Sequence, residues 1–227
     1  MTAVLIIGES GSGKTTSIRN LKAAETFIMG VLNKPLPFKN KEYRLLKKDT
    51  EGKSSNGNMF FSDNFEIIIK NLYYISDKRD EITTIIIDDF QYMMSNEFMR
   101  RVGEKGYDKF SEIGKHAFDV INCARTLRSN LNVYIMCHSD VDSNGKNKCK
   151  TIGRMLDDKV CIEGIFTIVL NAMVIDNKYV FLTQNNGMSI AKSPMKMFNN
   201  ILIDNDLSFI NKTINDYYSV DDIDINQ

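Results

Sequence analysis

Short apolar runs alternate with segments of helical periodicity over the first two thirds of the chain. The apolar runs are typical of strands buried on both faces of a sheet, and they cover residues 4–7, 26–32, 83–87 and 133–137. Helices are predicted between them, two of these from apolar residues at helical spacing, over residues 13–24, 64–76 and 111–130. The pattern predicts an α/β fold with a mostly parallel central sheet flanked by helices.

The pattern changes in the last third of the chain. Two β-prone runs, residues 166–175 and 179–183, are separated by Asp-Asn-Lys, which indicates a C-terminal antiparallel β-hairpin. Residues 35–58 are polar and are expected to form a surface excursion. Because no Pro/Gly/Ser-rich linker divides the chain, we predict one domain over residues 1–210 and an acidic tail over residues 211–227.

Composition narrows the class of protein only slightly. The 29 basic and 29 acidic residues cancel, so any nucleic-acid-binding surface must be a local patch. No apolar run approaches the roughly 20 residues of a membrane span, and no signal peptide is evident, so we expect a cytoplasmic protein without membrane contact. The cysteines are expected to be reduced thiols, with a metal site as the alternative; they are Cys123, Cys137, Cys149 and Cys161.

The first strand runs directly into a phosphate-binding loop. The segment Gly8-Glu9-Ser10-Gly11-Ser12-Gly13-Lys14-Thr15 is a complete Walker A pattern, and Thr16 follows it. Its glycines permit backbone amides to surround a phosphate. Lys14 brings a positive charge to the outer phosphates, Thr15 is placed to ligate Mg²⁺, and the predicted helix would add its N-terminal dipole. The segment predicts binding of ATP with Mg²⁺.

Acidic and polar residues follow the third and fourth predicted strands, residues 83–87 and 133–137. Asp88 and Asp89 follow an apolar run as in a Walker B pattern, so Asp88 is a predicted Mg²⁺ ligand. Asp89 either activates the attacking water or caps the following helix. His138 ends the next strand and either senses the γ-phosphate or bonds locally to the backbone. His116, beside an apolar helical stripe, is expected to lie at the surface or to serve packing.

The chain resembles a known group of ATPases. The order of motifs is that of RecA-like and AAA-type ATPases. The more specific likeness, over about residues 2–205, is to the short phage-encoded ATPases of the Sak-four type, a reduced RecA core. It rests on residues 8–21, 88–92, 96–101, 110–114, 150–153 and 191–195. The resemblance implies an ATPase that acts on single-stranded DNA in phage recombination, by annealing or strand exchange, as a homo-oligomer and beside a single-strand-binding protein.

The resemblance also implies two loops that contact DNA. Both are polar, basic and Gly-containing, as phosphate and base contacts require. The first follows the Walker B strand with Arg100, Arg101, Lys105, Tyr107 and Lys109, and the second spans residues 139–153 with Lys146, Lys148 and Lys150. Solvated loops without DNA contact are the alternative.

One departure from the resembled family concerns hydrolysis. RecA-like enzymes carry a glutamate after the strand that follows the Walker A helix, whereas residues 32–35 read Leu-Asn-Lys-Pro. The role of base then passes to Asp89, or hydrolysis is slow. Lys192 and Lys196 are candidates for contact with a neighbouring subunit's phosphate. A small-molecule or nucleotide kinase and a non-hydrolysing ATP-dependent assembly switch remain as alternative functions.

Overall fold

The computed structural model describes residues 1–47, 57–142, 145–152 and 160–219. Its strands are β1 Thr2–Gly8, β2 Thr26–Gly30, β3 Met59–Phe61, β4 Thr84–Asp88, β5 Asn132–Val141, β6 Asn147–Cys149, β7 Ile168–Ile175, β8 Lys178–Leu182 and β9 Leu202–Asp204. Its α-helices are α1 Phe65–Lys78, α2 Gln91–Arg100, α3 Asp108–Ala124, α4 Ile162–Ile165 and α5 Leu207–Tyr218. The 3₁₀ helices Thr15–Asn20 and Ala23–Glu25 precede β2.

One sheet contains all nine strands. Its order is β3-β2-β4-β5-β1-β7-β8-β9, and β6 pairs with the end of β5. Strands from β3 to β7 in this order run parallel, whereas β8 and β9 are antiparallel to their neighbours. The predicted architecture, a mostly parallel sheet with flanking helices and a C-terminal hairpin, is confirmed. Because β5 lies between β1 and β4, the ends of these three strands meet at one edge.

Continuous apolar strands are explained by cores on both faces of the sheet. Successive side chains of β1 alternate between them: Leu5 and Ile7 pack with α1, α2 and α3, while Val4 and Ile6 face the other side. There the second core is closed by Ile18 of the first 3₁₀ helix and by the apolar side of α5. Both faces are therefore covered, as a parallel sheet requires.

The single helix predicted over residues 13–24 is wrong, because the segment forms the short 3₁₀ helix Thr15–Asn20 and the start of a second one, Ala23–Glu25. The strand register places Thr26 level with Thr2. From the end of β1 at Gly8, the chain must therefore run back along the sheet by the length of six strand residues, or about 20 Å. The eleven residues 15–25 would cover only about 16 Å as an α-helix, but about 22 Å at the rise of a 3₁₀ helix. Phosphate binding therefore depends on the loop itself rather than on a long helix.

The C-terminal boundary also differs from the prediction. Helix α5 crosses residue 210, begins at the side-chain cap Asp206, and buries Leu207, Ile210 and Ile214 in the core. The predicted boundary at residue 210 is therefore corrected: residues 211–218 belong to the packed domain, because their helix supplies a core side chain. Residues 220–227 of the predicted tail lie outside the described residues.

Other predicted elements are present in the structure, but their ends differ from the predictions. The β7–β8 turn uses only Asp176 and Asn177, both with positive φ (49° and 61°), which is typical of a two-residue type I′ hairpin. Helix α3 begins at Asp108 and ends at Ala124, earlier than the predicted residue 130. Among the described residues, no helix has the length and apolarity needed to cross a bilayer.

Candidate nucleotide-binding site

The phosphate loop closes around the end of β1. Gly13 has φ +91°, a conformation that side chains rarely adopt, and a Cβ there would lie 2.7 Å from Cδ1 of Tyr179. At Gly8 a Cβ would lie 2.5 Å from the carbonyl oxygen of Ala172. Strand β7 and the ring of Tyr179 on β8 therefore pack directly against the loop, and these two positions require glycine.

The ammonium of Lys14 lies inside the loop. Its Nζ donates hydrogen bonds to the carbonyl oxygens of Gly8 and Glu9, both at 2.8 Å, and the residue is buried. Burial lowers the pKa of Lys14, while attraction by Asp88 and Asp89 partly opposes that shift. Lys14 thus presents a fixed charge at the position where the motif predicts the outer phosphates.

Thr15 and Asp88 form the predicted metal-binding pair. The Thr15 hydroxyl donates to Oδ2 of Asp88 at 2.9 Å, and Oδ1 of Asp88 accepts from the backbone N–H of Asp89 at 3.0 Å. Burial, followed by repulsion from Asp89, raises the pKa of Asp88 to about 6. Both residues face a cavity of about 170 Å³. Adjacent hydroxyl and carboxylate oxygens in a cavity fit Mg²⁺, which prefers oxygen ligands.

Asp89 is directed into the same cavity and does not cap helix α2. The helix has no side-chain cap, so the capping alternative is wrong. Instead, Oδ2 of Asp89 lies 2.5 Å from Nζ of Lys34, and Oδ1 lies 3.8 Å from Nε2 of His138. The backbone of Asp89 has φ +60°, an uncommon conformation for a residue other than glycine, and such conformations concentrate at functional sites.

His138 joins this cluster through its side chain. Its ring packs edge-on against Tyr92 at a centroid distance of 5.8 Å, and its backbone N–H donates to the side chain of Gln91 at 3.0 Å. Burial and then the charge of Lys14 lower the pKa of His138, so the imidazole is neutral at pH 7. A neutral imidazole beside Asp89 can donate or accept a hydrogen bond at the strand end.

The other half of the loop faces a second cavity. Residues 9–12 line a space of about 290 Å³ together with Ser139, Asn147, Asn171 and residues 172–174. Thr16 follows Thr15 in the first 3₁₀ helix. Sequence reasoning missed Lys34 and Tyr179 as members of the site. In the sequence, Lys34 was noted only because its segment lacks the glutamate of the resembled family. The contact of Tyr179 with the phosphate loop depends on how far the β7–β8 hairpin extends beyond β1.

The first predicted DNA loop divides into two groups of residues. Tyr107 is 86% exposed and Lys105 is exposed, whereas Arg100 pairs with Asp63 at 2.6 Å. Arg101 and Lys109 are not available as free cations, which corrects their assignment. The guanidinium of Arg101 contacts three carboxylates, those of Glu97, Glu104 and Glu112. The Lys109 ammonium instead donates to backbone carbonyls, including that of Glu104 at 2.7 Å, in a buried position.

The second predicted DNA loop begins as an ordered hairpin. Strand β5 continues past His138 to Val141 and pairs antiparallel with β6. Lys146 and Lys150 are exposed, and Lys148 is half-buried. The N–H of Lys150 donates to the carbonyl oxygen of His138 at 2.8 Å, so the hairpin is tied to the site. Residues 143, 144 and 153 of this loop lie outside the described residues.

His116 and the four cysteines, whose roles the sequence left open, have contacts of their own in the described part of the chain. His116 stacks on Phe65 at 3.8 Å and contacts Glu97, so its predicted packing role is confirmed. None of the four cysteines forms a disulfide within the described residues. No group of three or more metal-ligating side chains was found among the described residues, and the Cys137 thiol instead donates to the carbonyl oxygen of Lys150 at 3.4 Å.

The chain matches a known protein family and is similar in structure to known proteins. A family model described as an AAA domain matches residues 2–195. Among solved structures, the chain is similar to the KaiC-like protein PH0186 from the hyperthermophilic archaeon Pyrococcus horikoshii OT3. The two are 13% identical over 89% of this chain and 88% of that chain, with a TM-score of 0.44. No curated protein matches the sequence.

Proposed function

We propose, from the premise that this chain belongs to the AAA domain family, that it hydrolyses ATP and acts on single-stranded DNA in phage recombination. DNA annealing and strand exchange are the two forms of this activity that we consider. Lys14 would hold the outer phosphates, and Thr15 with Asp88 would hold Mg²⁺, which when bound neutralises phosphate charge. Asp89, two strand ends away from the phosphate loop, would accept the proton of the attacking water.

One observation supports the DNA-binding half of the proposal. Strand β5 carries His138 beside Asp89 and continues without a break into the hairpin that bears Lys146, Lys148 and Lys150. Because Lys148 pairs with Asp140 of β5 and the N–H of Lys150 donates to the carbonyl oxygen of His138, a shift at the nucleotide site would move basic side chains beside the same strand end. Lysines at such a position can bind the phosphates of a single strand.

The first loop supplies a different kind of contact to the same proposal. The ring of Tyr107 is almost fully exposed, and Met99 and Val102 are also exposed at this end of α2. An exposed aromatic ring with a lysine beside it fits stacking on an unpaired base, with the backbone phosphate nearby. We leave Arg101 and Lys109 out of the proposed surface because their side chains hold the loop together.

An ATPase assay with and without single-stranded DNA tests the proposal. We expect DNA to increase phosphate release from ATP. Transfer of phosphate to an added nucleoside monophosphate would instead support the kinase alternative. ATP binding without phosphate release under either condition would support the assembly switch.

A DNA-binding titration against salt concentration tests the hairpin. We expect the triple change Lys146→Ala, Lys148→Ala and Lys150→Ala to weaken binding and to reduce the salt dependence. The slope of log affinity against log salt should fall by about 0.7 for each lost phosphate contact. The matched control replaces three lysines on exposed positions of α1 and α5, namely Lys70, Lys78 and Lys212. Equal effects of the two triple changes would contradict the assignment.

We also propose that the active form is a homo-oligomer and that a single-strand-binding protein is its partner on DNA. Both expectations come from the resemblance stated for the sequence. Light scattering with and without ATP would measure the assembly. Co-sedimentation of the two proteins on single-stranded DNA would measure the partnership.

A further inference from the structure

Lys34 is held beside the catalytic candidate Asp89 by the chain that follows β2. The backbone N–H of Lys34 donates to the carbonyl oxygen of Leu32 at 2.9 Å. Pro35, the next residue, restricts the backbone of Lys34 to extended conformations. Together with Thr15, Asp88 and Asp89, it lines the cavity of about 170 Å³. The backbone therefore holds Lys34 beside the cavity, and the ion pair with Asp89 places its ammonium there.

The two carboxylate oxygens of Asp89 have different environments. Oδ2 contacts the ammonium of Lys34 at 2.5 Å, whereas Oδ1 is 3.8 Å from Nε2 of His138, beyond hydrogen-bond distance. The Asp89 side chain is only 6% exposed, and that of Lys34 is 55% exposed. Lys34 thus fixes one oxygen from the open side of the cavity and leaves the other available toward the strand end.

We propose that Lys34 is a positioning residue for ATP hydrolysis, which holds Oδ2 of Asp89 so that Oδ1 accepts the proton of the attacking water. The inference rests on the proposed ATPase function. The water oxygen forms a bond to the γ-phosphorus, and the bond from that phosphorus to the bridging oxygen breaks. The bridging oxygen keeps the electron pair and leaves with ADP, while the water proton passes to Asp89 and then to solvent.

Electrostatics gives Lys34 a second task in the same role. Asp88 and Asp89 are adjacent carboxylates, so the ionised form of each disfavours that of the other. The charged groups facing Asp89 are Asp88 on β4, Lys14 in the phosphate loop and Lys34, with neutral His138 on β5. Burial alone would lower the pKa of Lys34, but the hydrogen bond to Asp89 and its charge raise it.

Steady-state ATPase kinetics of Lys34→Met, measured without DNA, test the proposal. We expect kcat to fall by at least about tenfold, as for loss of an oriented general base, while KM for ATP stays unchanged. Lys34→Arg should restore part of kcat. The control Lys39→Met removes an exposed lysine of the same segment and should behave as wild type.

Three results would overturn the proposal. A rise in kcat for Lys34→Met would make the ion pair an inhibitory contact, and a rise in KM with unchanged kcat would make Lys34 a phosphate ligand. An equal loss of kcat in Lys39→Met would remove the specificity of the effect. If the wild-type protein hydrolyses no ATP, the proposed function itself fails. A double-mutant cycle of Lys34→Met and Asp89→Asn in urea unfolding, without ATP, separates that case: the two changes should be non-additive if the ion pair exists in solution.

Discussion

Replacing Asp88 by asparagine is expected to make the protein more stable while removing its ability to hold MgATP. Asparagine can direct its one oxygen to the N–H of Asp89 and its amide N–H to the Thr15 hydroxyl, which then accepts, so both contacts at 2.9 and 3.0 Å can persist. What it removes is a buried negative charge. Burial and the neighbouring Asp89 raise the pKa of Asp88 from 3.8 to about 6, which corresponds to about 3 kcal/mol.

The direction of the effect follows from which form folding disfavours. Because folding raises this pKa, ionised Asp88 destabilises the native protein, and the penalty is complete above pH 6. Below pH 3.8 the carboxyl is protonated in both folded and unfolded chains, and the penalty disappears. The free energy of unfolding of Asp88→Asn minus that of wild type should therefore increase by about 2 kcal/mol between pH 4 and pH 8.

Urea unfolding in EDTA without nucleotide, repeated across this pH range, measures the difference. In thermal unfolding at pH 8, the melting temperature of Asp88→Asn should lie about 5–10 °C above that of wild type. Asp63→Asn is the matched control, because the hydrogen bond from Arg100 lowers the pKa of Asp63 against the opposing effect of burial. Its stability relative to wild type should fall as pH rises. A flat difference for Asp88→Asn, or unaltered affinity for MgATP, would refute the reasoning.

Three further substitutions test other parts of the site. Lys14→Ala should weaken ATP binding by about 10- to 150-fold, the usual range for a charged hydrogen bond, and calorimetry that shows unchanged affinity would contradict the phosphate-loop assignment. Gly13→Ala should cost about 1–3 kcal/mol in urea unfolding because of its positive φ and the contact with Tyr179, whereas Gly103→Ala, with open space around it, should stay within about 0.5 kcal/mol. Tyr107→Ala should weaken single-stranded DNA binding by about 1–3 kcal/mol with no change in melting temperature, since the ring is 86% exposed; a lower melting temperature would indicate a packing role.

The central strands could be predicted because each is buried on both faces. Val4 to Ile7 and Ile85 to Ile87 are continuous apolar runs for that reason, and both predictions are confirmed. Strands β3, β6 and β9 have three residues each, too few to show a period. Helix α5 did leave a signal, since Leu207, Ile210 and Ile214 have helical spacing after the cap Asp206.

The candidate site was predictable where its residues are contiguous in sequence. The phosphate loop and Asp88 lie in recognisable patterns, and the structure brings Thr15 to Asp88 although 73 positions separate them. Lys34 was not predictable, because its contact with Asp89 depends on the pairing of β2 beside β4. Sequence identifies a residue's charge but not its partner. The same limit explains Arg101 and Lys109, which both lie in a basic segment. Arg101 is paired with carboxylates, and the ammonium of Lys109 donates to backbone carbonyls.

The charges within the cavity imply how ATP and Mg²⁺ depend on each other. Two lysines, Lys14 and Lys34, balance two carboxylates, Asp88 and Asp89, and His138 adds no charge near pH 7. The γ-phosphate of ATP would bring further negative charge toward both carboxylates, and little solvent is present to screen the repulsion. Lys14 can move its hydrogen bonds from the carbonyl oxygens of the loop to phosphate, but Lys34 is already committed to Asp89. A divalent cation on the Thr15–Asp88 pair would offset the added charge, and we expect this need to be greater for a triphosphate than for a diphosphate, because the γ-phosphate would come nearest to the carboxylates.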